Sequence, residues 1–243
     1  MVASPGAADA VRRARAMPSL RVGLHLVLVE ATPALPPAQV PDLVGPDGRF
    51  RTDMARLGFD IAFKPQVRRQ VIAEIVAQFL AFRATGLPLD HVNAHKHFHL
   101  HPVIGAAAIK IGQKFGARAI RVPTEPGAVV NAIEPGAARL SSSLVAQWTK
   151  VLRAQARRAG MAVPDAVFGL AWSGAMTRER LARLLDKLPA GLIEIYTHPA
   201  TANAFPGHAS GYRYTDELSA LTDADCIAAA RRASHSLGGF ADS

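Results

Sequence analysis

Residues 91–102 read His-Val-Asn-Ala-His-Lys-His-Phe-His-Leu-His-Pro and hold five of the chain's nine histidines. In an extended strand, side chains alternate between two faces, which puts His91, Asn93, His95, His97, His99 and His101 on one side. The other side is Val92, Ala94, Lys96, Phe98 and Leu100, mostly packing material. Burying unpaired polar groups is costly, so a core has no use for a row of imidazoles. Neutral imidazole is the commonest metal ligand, which makes a metal site at a strand end the sharper reading, although one ion cannot use all five. Pro102 suits the first position of a helix. The stretch therefore predicts a strand to Ala94 or His95, a loop to His101, and then a helix.

The rest of the chain repeats that order. Residues 7–17 predict a helix and Leu20–Leu28 a strand, with the polar His25 inside an apolar run. Residues 31–50 carry five prolines and predict a long surface loop over an active face. Val67, Val71, Ile75, Phe79 and Phe82 recur at helical spacing within 64–85, a helix ended by Gly86 and Pro88. A strand at 89–95, a helix at 103–115 and a strand at 119–123 follow. Then come a helix at 142–159, a strand near Phe168, a helix from 178 to 187 capped by Thr177, and a strand at 192–197. Thr215 is a candidate cap for the last helical region, and residues 237–240 a candidate closing strand.

Alternating strands and helices imply parallel strands with crossover helices. His25, His95, Arg121 and His198 all fall at or near the C-terminal ends of predicted strands, the face that carries the active site in β/α barrels. No internal boundary divides the chain, so 1–243 reads as one domain. The single cysteine, Cys226, excludes an intrachain disulfide and a cysteine-based zinc site. No apolar run approaches the roughly 18 residues of a membrane span. Together these fit a cytoplasmic protein. The net charge of +9 is spread over helical segments. Aromatics are not interleaved with it, so no nucleic-acid partner is expected.

Three segments carry a family resemblance: Gly23-Leu24-His25-Leu26, His91 through His99, and Thr197-His198-Pro199. They resemble the YdjC-like, or chitooligosaccharide deacetylase, family. Leu24 through Glu30, Pro41-Asp42-Leu43, Asp47-Gly48-Arg49-Phe50 and Phe168 through Thr177 look like its hopanoid-biosynthesis-associated branch. The resemblance implies an α/β fold, a distorted TIM-like (β/α) barrel. It implies one divalent metal ion, magnesium or zinc, held by an Asp and two His, and hydrolysis of an N-acetyl group on an amino sugar. In the hopanoid branch the implied substrate is an N-acetylglucosaminyl hopanoid.

Carried over by motif, the metal histidines fall on His25 and His95. His198 becomes a candidate proton donor or substrate contact. Separately from the motif, Arg121, the only charge of its predicted strand, is either a surface-tip charge or a group that orients the metal-site acid or binds a substrate oxygen. His97, His99 and Trp172 are candidate substrate contacts. The expected partners are a small or lipid-linked amino sugar, the inner membrane face through the basic helix around Trp148–Arg158, and a second copy of the chain. Two departures stand out. The family has Asp-Ser where this chain has Asn93-Ala94. Its opening Asn-Ala-Asp-Asp-Phe-Gly type motif, source of the metal Asp and a candidate general base, has no counterpart, and no Asp-Asp pair occurs in the chain. The expectation is an N-terminal truncation of about 30 residues, one βα unit. The competing expectation is an inactive family member that serves as a binding protein.

Overall fold

The computed structural model describes residues 1–138, 143–233 and 237–242. In chain order the elements are α1 (Ala7–Arg15), β1 (Val22–Leu26), α2 (Met54–Phe63), α3 (Pro65–Ala84), β2 (Leu89–Ala94) and α4 (Pro102–Lys114). They continue as β3 (Ala119–Ile120), α5 (Gly127–Ile133), α6 (Ser143–Arg158), β4 (Ala166–Phe168), α7 (Arg178–Leu185), β5 (Ile193–Ile195), α8 (Tyr214–Thr222) and α9 (Ala224–Ala233). They form two compact units. One takes Met1–Val122, Ser143–Val163 and Gly238–Ser243; the other takes Pro123–Ser142 and Pro164–Leu237.

In the first unit β1, β2 and β3 form a parallel sheet in that order. His25 pairs with Asn93, Leu26 with Ala94, and Val92 with Ile120. The register slips between Val22 and Leu24. Gly23 lies at that slip because the His91 ring covers it: a Cβ there would come within 2.4 Å of His91 Nε2. Val71, Ile75 and Phe79 of α3 are fully buried, as their helical spacing requires. In the second unit β4 and β5 pair in parallel, Val167 opposite Glu194. Trp172, Phe168, Met176 and Leu184 centre its separate core. The α/β class with parallel strands is therefore present, and among the described residues the sheets do not close into a barrel.

Several expectations are corrected. The alternation read over 91–102 stops at Ala94, because Lys96 and His97 take φ of 52° and 54° and turn the chain through a 3₁₀ segment, His95–Leu100. The 31–50 segment is not a loose surface loop. Val40, Leu43 and Phe50 are buried in the first core, and the buried Glu74 carboxylate accepts the Ala34 and Leu35 N–H groups at 2.8 and 3.0 Å. Residues 237–239 form no strand; a 3₁₀ turn, Phe240–Asp242, follows them. Its Phe240 and Ala241 N–H groups donate to Asp90. Thr215 does not cap α8: Arg213 stands at that position, and Thr215 N–H donates to Asn203. Thr177 does cap α7, its hydroxyl accepting from Arg180 N–H. The start read for the 142–159 helix lies outside the described residues.

Candidate active-site residues

Parallel pairing brings the C-terminal ends of β1, β2 and β3 to one edge of the first unit. His25 is the last residue but one of β1, His95 follows β2 directly, and Arg121 follows β3 directly. The His25 and His95 rings stand edge to face with centroids 5.9 Å apart. Arg121 is buried and close enough to act on His25 through its charge.

The hydrogen bonds fix which nitrogens are available. Asn93, paired with His25 across the ladder, places Oδ1 2.6 Å from His25 Nδ1. A carbonyl oxygen only accepts, so Nδ1–H donates and Nε2 keeps its lone pair. Burial pushes the His25 imidazole down to about 3, against the smaller opposing effect of Asn93. It is neutral at pH 7, the form a metal requires. His95 Nε2 lies 3.2 Å from Glu30 Oε2, so its other nitrogen, Nδ1, is the one left to donate a lone pair. Burial works to raise the Glu30 carboxyl, but hydrogen bonds from Lys96 and His95 outweigh it and hold the group below the usual carboxylate range. Glu30 reaches this position with φ at 65°, a left-handed conformation that is uncommon outside glycine.

Three of the remaining histidines of the stretch, His91, His99 and His101, make structural contacts. His91 pairs with Asp90 at 2.8 Å. His101 caps α4 through Val103 N–H and donates from Nε2 to the Gly58 carbonyl of α2 at 3.1 Å. Its ring meets Trp148 of α6 edge-on at 5.6 Å, so it struts α2 against α6. His99 is 0% exposed and its Nε2–H donates to the Arg121 carbonyl at 2.7 Å. Expected at the substrate, it instead fixes the backbone from which Arg121 projects. His97 is half-buried, its ring 6.3 Å from that of His99.

In the second unit His198 follows β5 by three residues. Its ring packs against Tyr196 and Tyr212, at 5.6 and 5.0 Å. Trp172, also expected at a substrate, is 3% exposed in the core, its indole N–H donating to Glu134 at 3.1 Å. Ahead of it, the Glu125 carboxylate accepts three successive N–H groups, from Gly169, Leu170 and Ala171, each at 2.9 Å. Sequence reading missed this carboxylate, as it missed Glu30 and Glu217. Each acts across a sequence separation for which no local pattern exists.

Two imidazoles match a divalent transition ion in donor type. They fall short in number: catalytic metal sites draw three protein ligands. Among the described residues, no group of three or more His, Cys, Asp or Glu is placed to hold a metal ion.

Comparison with known proteins gives a consistent result. The chain is 36% identical over 115 residues to a carbohydrate deacetylase of Brevibacillus brevis, a match covering 47% of this chain and 43% of that protein. A carbohydrate deacetylase of Geobacillus stearothermophilus is 28% identical over 232 residues, covering 94% of this chain and 78% of the relative. The chain thus spans less than half of the first relative and more than three quarters of the second. The crystal structure of a cellobiose-phosphate cleavage protein of Enterococcus faecalis V583 superposes with a TM-score of 0.72 at 23% identity, covering 100% of this chain and 85% of that one, and so shares its fold. The pattern of the YdjC-like protein family matches residues 1–232, and the chain belongs to that family.

Proposed function

We propose that the protein is a carbohydrate N-deacetylase, a hydrolase that removes the acetyl group from an amino sugar. Kinship along nearly the whole chain with relatives named carbohydrate deacetylase carries this reading. His25 and His95 support it, as an imidazole pair at the C-terminal edge of a parallel sheet, with His25 kept neutral by burial. In this reading they are two ligands of one divalent ion, zinc or magnesium. Such an ion polarises an amide carbonyl and lowers the pKa of a water towards about 7. Asn93 holds the His25 tautomer and Glu30 orients His95. Arg121 presents positive charge beside His25. His198 holds the proton that the leaving amine takes up.

The finer reading places the chain in the hopanoid-associated branch, on a distorted TIM-like barrel, with an N-acetylglucosaminyl hopanoid as substrate. A lipid-linked sugar calls for contact with a membrane face. No helix among the described residues is long and apolar enough to cross a membrane. Two helices strutted by His101 offer a peripheral contact instead. Phe59 and Phe63 of α2 are 62% and 70% exposed, and α6 exposes Leu144 and Val151. Arg56, Lys150 and Arg158 are exposed on the same helices. Exposed aromatics with basic neighbours suit an anionic lipid surface. Sedimentation with phosphatidylglycerol vesicles is expected to fall severalfold in F59S/F63S. Equal sedimentation with neutral vesicles, or none by the wild type, would count against this contact.

A second reading, a family member that binds a sugar without turning it over, is favoured by the lack of a three-donor cluster among the described residues. One assay separates the two. Acetate released from N-acetylglucosaminyl substrates, stopped by a chelator and restored by zinc or magnesium, is the expected result. No release with either ion, in a protein that still binds the sugar, would favour the second reading.

A further inference from the structure

β1 and β2 do not pair residue for residue. Val22 pairs with Leu89 and Leu24 with Val92, so Asp90 and His91 together stand opposite Gly23. One extra residue in a strand is a β-bulge, a feature that re-aims the side chains beyond it. Unbroken pairing onward from Val22 and Leu89 would set His25 beside Val92 and Leu26 beside Asn93. The bulge instead sets His25 beside Asn93, and gives Leu24 and Leu26 the apolar partners Val92 and Ala94. A one-residue slip exchanges the two faces of a strand. Without the bulge, Asn93 would point away from the face that carries His25.

The extra residue is clamped from the far end of the chain. The His91 ring lies over Gly23, with Nε2, Cε1 and Cδ2 all within 2.6 Å of the place a Cβ would take. Asp90 is 3% exposed, and a buried carboxylate is costly unless its oxygens are satisfied. Its Oδ2 lies 2.8 Å from His91 Nδ1 and accepts the Phe240 N–H at 3.1 Å. Its Oδ1 accepts the Ala241 N–H at 2.7 Å. The Phe240 ring meets that of His91 with centroids 5.3 Å apart. Arg21, the residue ahead of β1, donates from Nε to Asp242 at 2.8 Å. The 3₁₀ turn Phe240–Asp242 therefore ties the start of β1 to the start of β2 and presses the His91 ring onto Gly23.

We propose that the bulge at Asp90 and His91, closed by the turn Phe240–Asp242, is a positioning device for His25: it keeps β2 in the phase that brings Asn93 to the imidazole. Asp90, His91 and Phe240 act through the backbone and are not catalytic residues. The use of this placement in metal binding rests on the reading of His25 as a ligand; the placement itself does not. The test uses the full chain carrying F240A/A241P, which removes the ring on His91 and one of the two backbone N–H groups on Asp90. The His25 tautomer is read first, by nitrogen NMR of the metal-free, ¹⁵N-histidine-labelled protein. H25Q assigns the signal, and N93A shows the mixture of an imidazole without its partner. The wild type is expected to show the Nδ1–H form and F240A/A241P to move towards N93A. V71A, a truncation in the core face of α3, controls for lost stability alone and is expected to keep the wild-type signal. Zinc titration is read second. Affinity is expected to fall about tenfold in F240A/A241P, the lower end of the usual cost of a misoriented ligand, and to hold in V71A. Should F240A/A241P not accumulate as folded protein, F240A replaces it, keeping both N–H groups on Asp90. A wild-type tautomer in the folded tail variant, the same change in V71A, or a wild type without the Nδ1–H form overturns the positioning role. A wild type that binds no zinc overturns the ligand reading of His25, and the tautomer alone then decides the positioning role.

Discussion

Alanine at His25 is expected to abolish the binding of zinc or magnesium and to lower kcat/KM about a thousandfold. A metal used as Lewis acid supplies several kcal/mol of transition-state stabilisation, and each 1.36 kcal/mol is a factor of ten. His25 is one of two imidazoles at the sheet edge, and its lone pair is set by a single contact, Nδ1–H to Asn93 Oδ1 at 2.6 Å. Asn93→Ala should therefore show a smaller version of the same defect, about 10- to 100-fold in metal affinity, the usual cost of losing the partner that orients a ligand. Asn93→Asp should act in the opposite direction, because a carboxylate makes the imidazole a stronger base. Calorimetric titration with each metal measures all three. Wild-type affinity in H25A would remove His25 from the ligand set, whatever happened to turnover.

These residues differed in how far the sequence revealed them. The start of α4 was legible because Pro102 can open a helix, and the end of β2 was placed at Ala94 or His95 ahead of it. α3 was legible from its spacing alone. α2 was missed, although Asp53 caps it by accepting from Arg56 N–H and Leu57 and Ile61 recur at i, i+4. The turn at Lys96–His97 had little signal, because positive φ is uncommon outside glycine and two consecutive such residues leave no pattern in the sequence. That turn is what breaks up the apparent row of histidines. One of the five joins His25, and His91, His99 and His101 serve packing and capping. A histidine count could show that the segment was unusual. Only the backbone could show which imidazole met which partner.

The buried histidines also set a limit on the acid side. Burial pushes His99 down to about 4, against the opposing hydrogen bond to the Arg121 carbonyl. Its Nδ1 has no hydrogen-bond partner among the described residues. In the unfolded chain the same group titrates near 6.5. Between those values the unfolded state binds the extra proton, so folding stability rises with pH through the window and is lost as pH falls from about 6.5 towards 4. From pH 7 to pH 5, His99 alone is expected to remove about 2 kcal/mol. His25, pushed to about 3 by burial, acts with the same sign over a longer window, and burial lowers His101 as well. Urea unfolding at the two pH values should therefore give a clearly lower midpoint at pH 5. His99→Gln offers a donor in place of Nε2–H and cannot titrate, so its midpoint should fall less by the amount His99 contributes. An H99Q midpoint that dropped as far as the wild type's would place the acid sensitivity elsewhere. The same window touches function. Protonation of His25 removes the lone pair that a metal needs, so metal affinity and stability should both decline as the pH is lowered, with affinity holding to lower pH in the folded state because His25 titrates there only near 3.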